Sequence, residues 1–165
     1  MRQVAIAALV FLVVACGGGQ GGRPTGQAQE PAWLAEGNSL VNTEAGKQIH
    51  AIGSVSGVRD SRARRVEVDK KARAQLGQMM EQLYATIAKL GDGVRPEEVS
   101  AVGKKAVAQS AQIMDHWVAA DGTESALEVV DLAQLKAALR RVDGDDRVKQ
   151  EIAANLDRAA EQMGR

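Results

Sequence analysis

The stretch SRARRVEVDKKARAQLGQMMEQLYATIAKL, Ser61 to Leu90, decides how this chain folds. Ala72, Leu76, Met79, Leu83, Ile87 and Leu90 recur every three or four residues, which places them on one face of a helix. Asp60 or Ser61 can cap its start. Gly91 stands where a left-handed residue commonly closes a helix. A long amphipathic helix needs a second layer to cover its apolar stripe, so the flanking sequence has to supply one.

Immediately upstream, KQIHAIGSVSG (Lys47 to Gly57) alternates. Ile49, Ala51, Gly53 and Val55 share one parity and His50, Ile52, Ser54 and Ser56 the other, the period of a strand. Gly53 inside it marks a close backbone approach or a bulge. Downstream, Pro96 followed by Glu97 and Glu98 opens a second helix, expected to run to about Ser110 with Gly103 weakening its middle. Ala111 to Ala119 sets Ile113, Asp115 and Trp117 against Met114, His116 and Val118. Asp121-Gly122 then joins this run to Thr123–Val130 as a hairpin. Asp131, with Gln134 three residues on, caps a short helix carrying Leu132, Leu135 and Leu139. Asp145 or Asp146 starts a final helix with Val148, Ile152, Leu156 and Met163 on one face. The predicted fold is α+β, with a small antiparallel sheet of about three strands against a long helix and further helices, in the order β-α-α-β-β-α-α.

The N-terminal segment is of another kind. Thirteen of the residues from Met1 to Ala15 are apolar, broken by Arg2 and Gln3, the layout of a secretory signal and short of the roughly 20 residues that span a bilayer. Val13-Val14-Ala15-Cys16 resembles the lipobox of bacterial lipoproteins, in which the cysteine thiol receives a diacylglyceryl group, the peptide is cut before it, and the new amine is acylated. Cys16 is the sole cysteine of the chain, which leaves no internal disulfide. Each buried lipid methylene contributes about 0.8 kcal/mol, so several acyl chains make a durable anchor. Gly17 to Glu30 contains six glycines and Pro24, and reads as a flexible tether of roughly 20 Å. The organisation expected is a signal over residues 1–15, a tether over 16–31, an α+β domain over 32–142 and a C-terminal helix over 143–165.

Several stretches together resemble a known family: Pro31-Ala32-Trp33, His50 to Val55 followed by Lys71 to Leu76, Ile113 to Trp117, and Ala126 to Leu132 after Asp121-Gly122-Thr123. They are similar to the Lpp-twenty family of bacterial envelope lipoproteins, over about Pro31 to Arg141. The resemblance implies an envelope location and a strand-helix-hairpin domain. It implies no catalytic residues.

Composition excludes some functions. The 165 residues carry 21 Lys+Arg and 21 Asp+Glu, so the basic footprint of a nucleic-acid binder is missing. Aromatics are 2% of residues, too few for a base-stacking platform. Gly53-Ser-Val-Ser-Gly57 has valine where a nucleophile elbow needs serine, and two glycines where a dinucleotide fingerprint needs three. His50 and His116 both fall on predicted strands, and zinc would need further ligands beside them. Asp143-Gly-Asp-Asp146 is shorter than a calcium loop. No metal, cofactor or catalytic residue is expected, apart from the covalent lipid on Cys16.

One charge pattern stands out. Arg59, Arg62, Arg64, Arg65, Lys70, Lys71 and Arg73 crowd the start of the long helix, where cations oppose the macrodipole. Asp60, Glu67 and Asp69 are candidate internal partners. Alternatively Arg62, Arg64 and Arg65 meet an anionic envelope surface. The function expected is that of a non-enzymatic structural or adaptor component of the envelope, anchored through Cys16 in the outer membrane, facing the periplasm and binding an envelope protein. The alternative is a binding module for a small apolar or lipid-like ligand between sheet and helices. A pocket favours the second; an exposed apolar stripe on the long or final helix favours the first.

Overall fold

A computed structural model describes residues 29–164. The segment read as a signal, Cys16 and residues 17–28 of the segment read as a tether lie outside the described residues. The elements run α1 (Ala32–Glu36), β1 (Ser39–Thr43), β2 (Gly46–Val55), α2 (Ser61–Leu90), α3 (Pro96–Ser110), β3 (Ala111–Val118), β4 (Glu124–Asp131), α4 (Leu132–Leu139) and α5 (Asp146–Met163). The class is α+β, as the sequence predicts. The sheet has four strands rather than about three, all antiparallel, in the order β1-β2-β4-β3. A short helix and an edge strand precede the first strand expected from sequence.

β2 and β4 form the centre of the sheet. Ile49 pairs with Val130, Ala51 with Glu128, Gly53 with Ala126 and Val55 with Glu124, and this face carries helices α2 to α5. The main core joins Ile49 and Val130 to Leu83, Ile87, Leu135, Leu139, Ile152 and Leu156. The final helix, read as a segment beyond residue 142, therefore contributes to the same core. On α2 the buried stripe is Val68, Ala72, Leu76, Met80, Leu83, Tyr84 and Ile87; Met79 and Leu90 are half-buried at its margin.

Helix α2 and the sheet come into close backbone contact at Gly53. A Cβ built there would stand 2.3 Å from the Ala72 backbone nitrogen and 2.6 Å from the Val68 carbonyl oxygen. Gly53, Ala72 and Ala126 together make room for this crossing. Of the two roles sequence allows Gly53, the structure selects close approach.

Caps follow the expected chemistry with one correction. Asp60 accepts from the Ala63 N–H at 2.6 Å, Asp131 from Ala133 and Gln134, and Asp145 from Arg147 and Val148. Gly91 is extended (φ −80°, ψ 158°) instead of left-handed; its N–H still closes the helix on the Ile87 carbonyl at 2.8 Å.

A second correction concerns β3. Ile113 pairs with Glu128, but Asp115 pairs with the adjacent Leu127, so Met114 is an extra residue in a bulge. The parity changes there. Ile113 and His116 face the helices, while Asp115 and Trp117 face the other way with Leu127 and Ser125. The simple alternation read from sequence breaks at one residue.

The other face of the sheet is covered by α1. Trp33 packs with Leu127 and Val129, beside Leu34, Ile52 and Trp117. Its indole N–H donates to Asp115 Oδ2 at 3.0 Å. Trp33 and Leu34 thus seat the start of the domain on this face.

Candidate functional site

Two acidic residues of β4 face inward against the basic start of α2. Glu124 is 4% exposed and accepts from Arg64 Nε at 2.8 Å, with Arg65 Nε at 3.4 Å from its other oxygen. Arg64 also donates to the Val58 carbonyl at 3.1 Å. Lys71 donates to the Ser54 carbonyl at 3.0 Å. The partner of this cluster is thus Glu124, a residue distant in sequence, and not the neighbouring Asp60, Glu67 or Asp69. Of the arginines singled out from sequence, the structure brings Arg64 and Arg65 together on one carboxylate. Arg62 is exposed at the helix start.

The histidines are kept apart. β4 lies between β2 and β3, and His50 and His116 occupy opposite faces of the sheet. His116 Nε2 is 2.6 Å from Asp69 Oδ1 on α2. His50 is buried, with Glu36 3.8 Å away. Burial lowers its pKa, and the Glu36 charge opposes that shift.

Glu128 is arranged differently from Glu124. It is 5% exposed, yet its nearest cation is Arg73 Nε at 3.9 Å, beyond hydrogen-bond length. Its second oxygen has no hydrogen-bond partner. Burial pushes its pKa up, against the pull of Arg73, and Asp69 adds to the rise. Tyr84, 1% exposed, is another buried group whose polar atom, the hydroxyl, lacks a partner, and burial pushes its pKa up. The Tyr84 ring occupies the space that a side chain at position 103 would need, since a Cβ on Gly103 would lie 2.4 Å from ring atoms. Gly103 is therefore a packing residue, and α3 runs through it unbroken.

Glu128 and Tyr84 line one cleft. It has a volume of about 380 Å³ and opens between α2, α3 and the β3–β4 side of the sheet. Leu76, Met80, Val107 and Ile113 give it apolar walls. Glu81 and Lys104 also line it, joined at 2.6 Å, with the Ser100 hydroxyl on both Glu81 oxygens. Gly77 lines the cleft from α2, and a Cβ there would meet nothing within 4 Å. The size falls within the range of small-ligand sites, and the design is theirs too: mostly apolar lining with a few polar groups.

Sequence reasoning missed Glu124, Glu128 and Tyr84. A signal for the glutamates exists: on a strand ending in Val130, parity places Ala126, Glu128 and Glu124 on the same face as that valine. Tyr84 directly follows Leu83 of the helical stripe. Compared with known proteins, the chain matches no family model and no curated protein.

Proposed function

We propose that this protein is a lipid-anchored bacterial envelope lipoprotein whose folded domain is a non-enzymatic binding module for a small apolar or lipid-like ligand. The lipobox-like Val13–Cys16 and the glycine-rich segment after it support the anchor, with the outer membrane as its site and the domain facing the periplasm. The resemblance to the Lpp-twenty family agrees with that location. The binding reading is carried by one observation: an apolar-walled cleft of about 380 Å³ lined by two buried residues, Tyr84 and Glu128, each with an unpaired polar atom. Leaving such a group buried and unmatched costs roughly 1–3 kcal/mol.

The adaptor reading asks for an apolar stripe on the long or final helix. The exposed positions of α5, such as Arg147, Gln150, Asp157 and Glu161, are polar apart from the small Ala154. The large apolar side chains exposed among the described residues are Val66, Met114 and Val118, which lie on α2 and β3. This distribution favours the cleft over a docking helix.

The test uses the full lipidated chain in nanodiscs, with carbon-13 in the methionine methyl groups. Met80 lines this cleft, whereas Met79 and Met163 line a separate groove against β1. A small neutral probe, ethylbenzene, should shift the Met80 signal saturably and leave Met79 and Met163 in place. Gly77→Leu should abolish that shift. A Met80 shift that is indifferent to Gly77→Leu, or no saturable shift from ethylbenzene or from any charged analogue of it, overturns the binding reading.

A further inference from the structure

The charges around the cleft identify which kind of ligand completes it. Four charged residues line it: Arg73, Glu81, Lys104 and Glu128. Lys104 and Glu81 are joined at 2.6 Å, and Glu81 is further held by Ser100. Those two charges neutralise each other. Arg73 is 66% exposed at its side chain and stays 3.9 Å from Glu128 Oε1. Glu128 therefore keeps one oxygen with no partner and another whose only cation is beyond hydrogen-bond length. A carboxylate accepts and does not donate, so what it lacks is a donor. A cationic donor satisfies a buried carboxylate best, because charge-assisted bonds are roughly twice as strong as neutral ones. A carboxylate or phosphate ligand would instead meet the like charge of Glu128 in a site of low dielectric.

We propose that the cleft binds a small amphipathic ammonium compound, with its apolar body against Leu76, Met80, Val107 and Ile113 and its cationic nitrogen on the Glu128 carboxylate. This deepens the binding-module reading and rests on it. The nitrogen replaces the missing partner of Glu128, and its charge opposes the burial that now disfavours the ionised carboxylate. Arg73 sits on the long flexible stem usual for this residue, so it can yield its distant contact without disturbing α2.

The experiment compares three probes on one skeleton in the full lipidated chain, read from the Met80 methyl signal: ethylbenzene, 2-phenylethylammonium and 3-phenylpropionate. The ammonium should bind at least tenfold more tightly than ethylbenzene, and the carboxylate most weakly. Glu128→Gln should remove the ammonium's advantage while leaving ethylbenzene affinity unchanged, which also shows that the variant is folded. Equal affinity for the ammonium and ethylbenzene overturns the cationic class, as does an ammonium preference that survives Glu128→Gln. In both cases the binding module itself stands. If none of the three shifts Met80 saturably, the module reading falls and this inference with it.

Discussion

Gly53 of β2 lies directly beneath Ala72 of α2, so close that a Cβ on Gly53 would be 2.3 Å from the Ala72 amide nitrogen. The obstruction is backbone, from the Ala72 nitrogen and the Val68 carbonyl, and no rotamer change relieves it. This contact sets the distance between the long helix and the sheet. It thereby holds Leu76, Met80 and Tyr84, further along the same helix, over β2 and β4.

Gly53→Ala should therefore destabilise the domain by about 2 kcal/mol or more, the upper part of the overpacking range. Gly77→Ala on the same helix should have the opposite sign. A Cβ there meets nothing, and alanine is favoured over glycine in a helix by about 1 kcal/mol. Chemical denaturation of the two variants beside the parent checks both signs.

The arginines of the α2 start should separate by role. Arg64→Ala leaves the buried Glu124 with one weaker contact, from Arg65 at 3.4 Å. A loss of about 2–3 kcal/mol is expected, because an uncompensated buried charge is costly. Arg62→Ala, at an exposed position, should change stability by less than about 0.5 kcal/mol. Equal effects in the two unfolding curves would contradict the pairing.

Trp33 and Asp115 tie α1 to the outer face of the sheet. Asp115→Ala removes the partner of the indole N–H, a loss of about 1 kcal/mol. Trp33→Ala removes in addition the contact with Leu127 and Val129, for about 3 kcal/mol in all. Hydrogen exchange of the β4 amides should rise in the second variant.

Glu128 makes stability depend on pH with a definite sign. Its folded pKa lies above the ordinary 4.5, because burial disfavours the charged form. The folded state thus holds the proton more tightly than the unfolded chain. The resulting stabilisation is complete below 4.5 and is lost as pH rises through the folded value. Glu128→Gln should melt higher than the parent at neutral pH, and the two should converge near pH 4.

His50 acts in the opposite direction. Burial lowers its pKa below the ordinary 6.5, so the folded state takes up a proton less readily. Its stabilising contribution is present above pH 6.5 and is lost as pH falls through the folded value. His50→Gln should flatten the part of the melting curve's pH dependence that lies below pH 6.5.

Much of this architecture is legible in the residues themselves. The extent of α2, the Pro96 start of α3, the Asp121-Gly122 turn, the Asp131 cap and the final helix all follow from local rules. Periodicity and capping depend on neighbours a few residues apart, which covalent geometry brings together in any fold. β1 escapes such a reading because Ser39–Thr43 is short and shows no sustained alternation. The bulge at Met114 escapes it because a bulge is a property of two paired strands, visible only in their register.

The candidate site was the least legible part. No local pattern tells that Glu124 finds Arg64, sixty residues earlier, while Glu128 on the same strand finds no such partner. The sequence by itself determined the class of the fold, most element boundaries, and the place of the sole cysteine, Cys16, ahead of a glycine-rich segment. Tertiary structure alone decided which strands pair, which face each β3 residue presents, and which buried polar atoms are left unmatched. The reason is physical: a helix or a turn is satisfied by its own neighbours, whereas a buried charge is satisfied only by whatever the folded chain brings within about 3 Å of it.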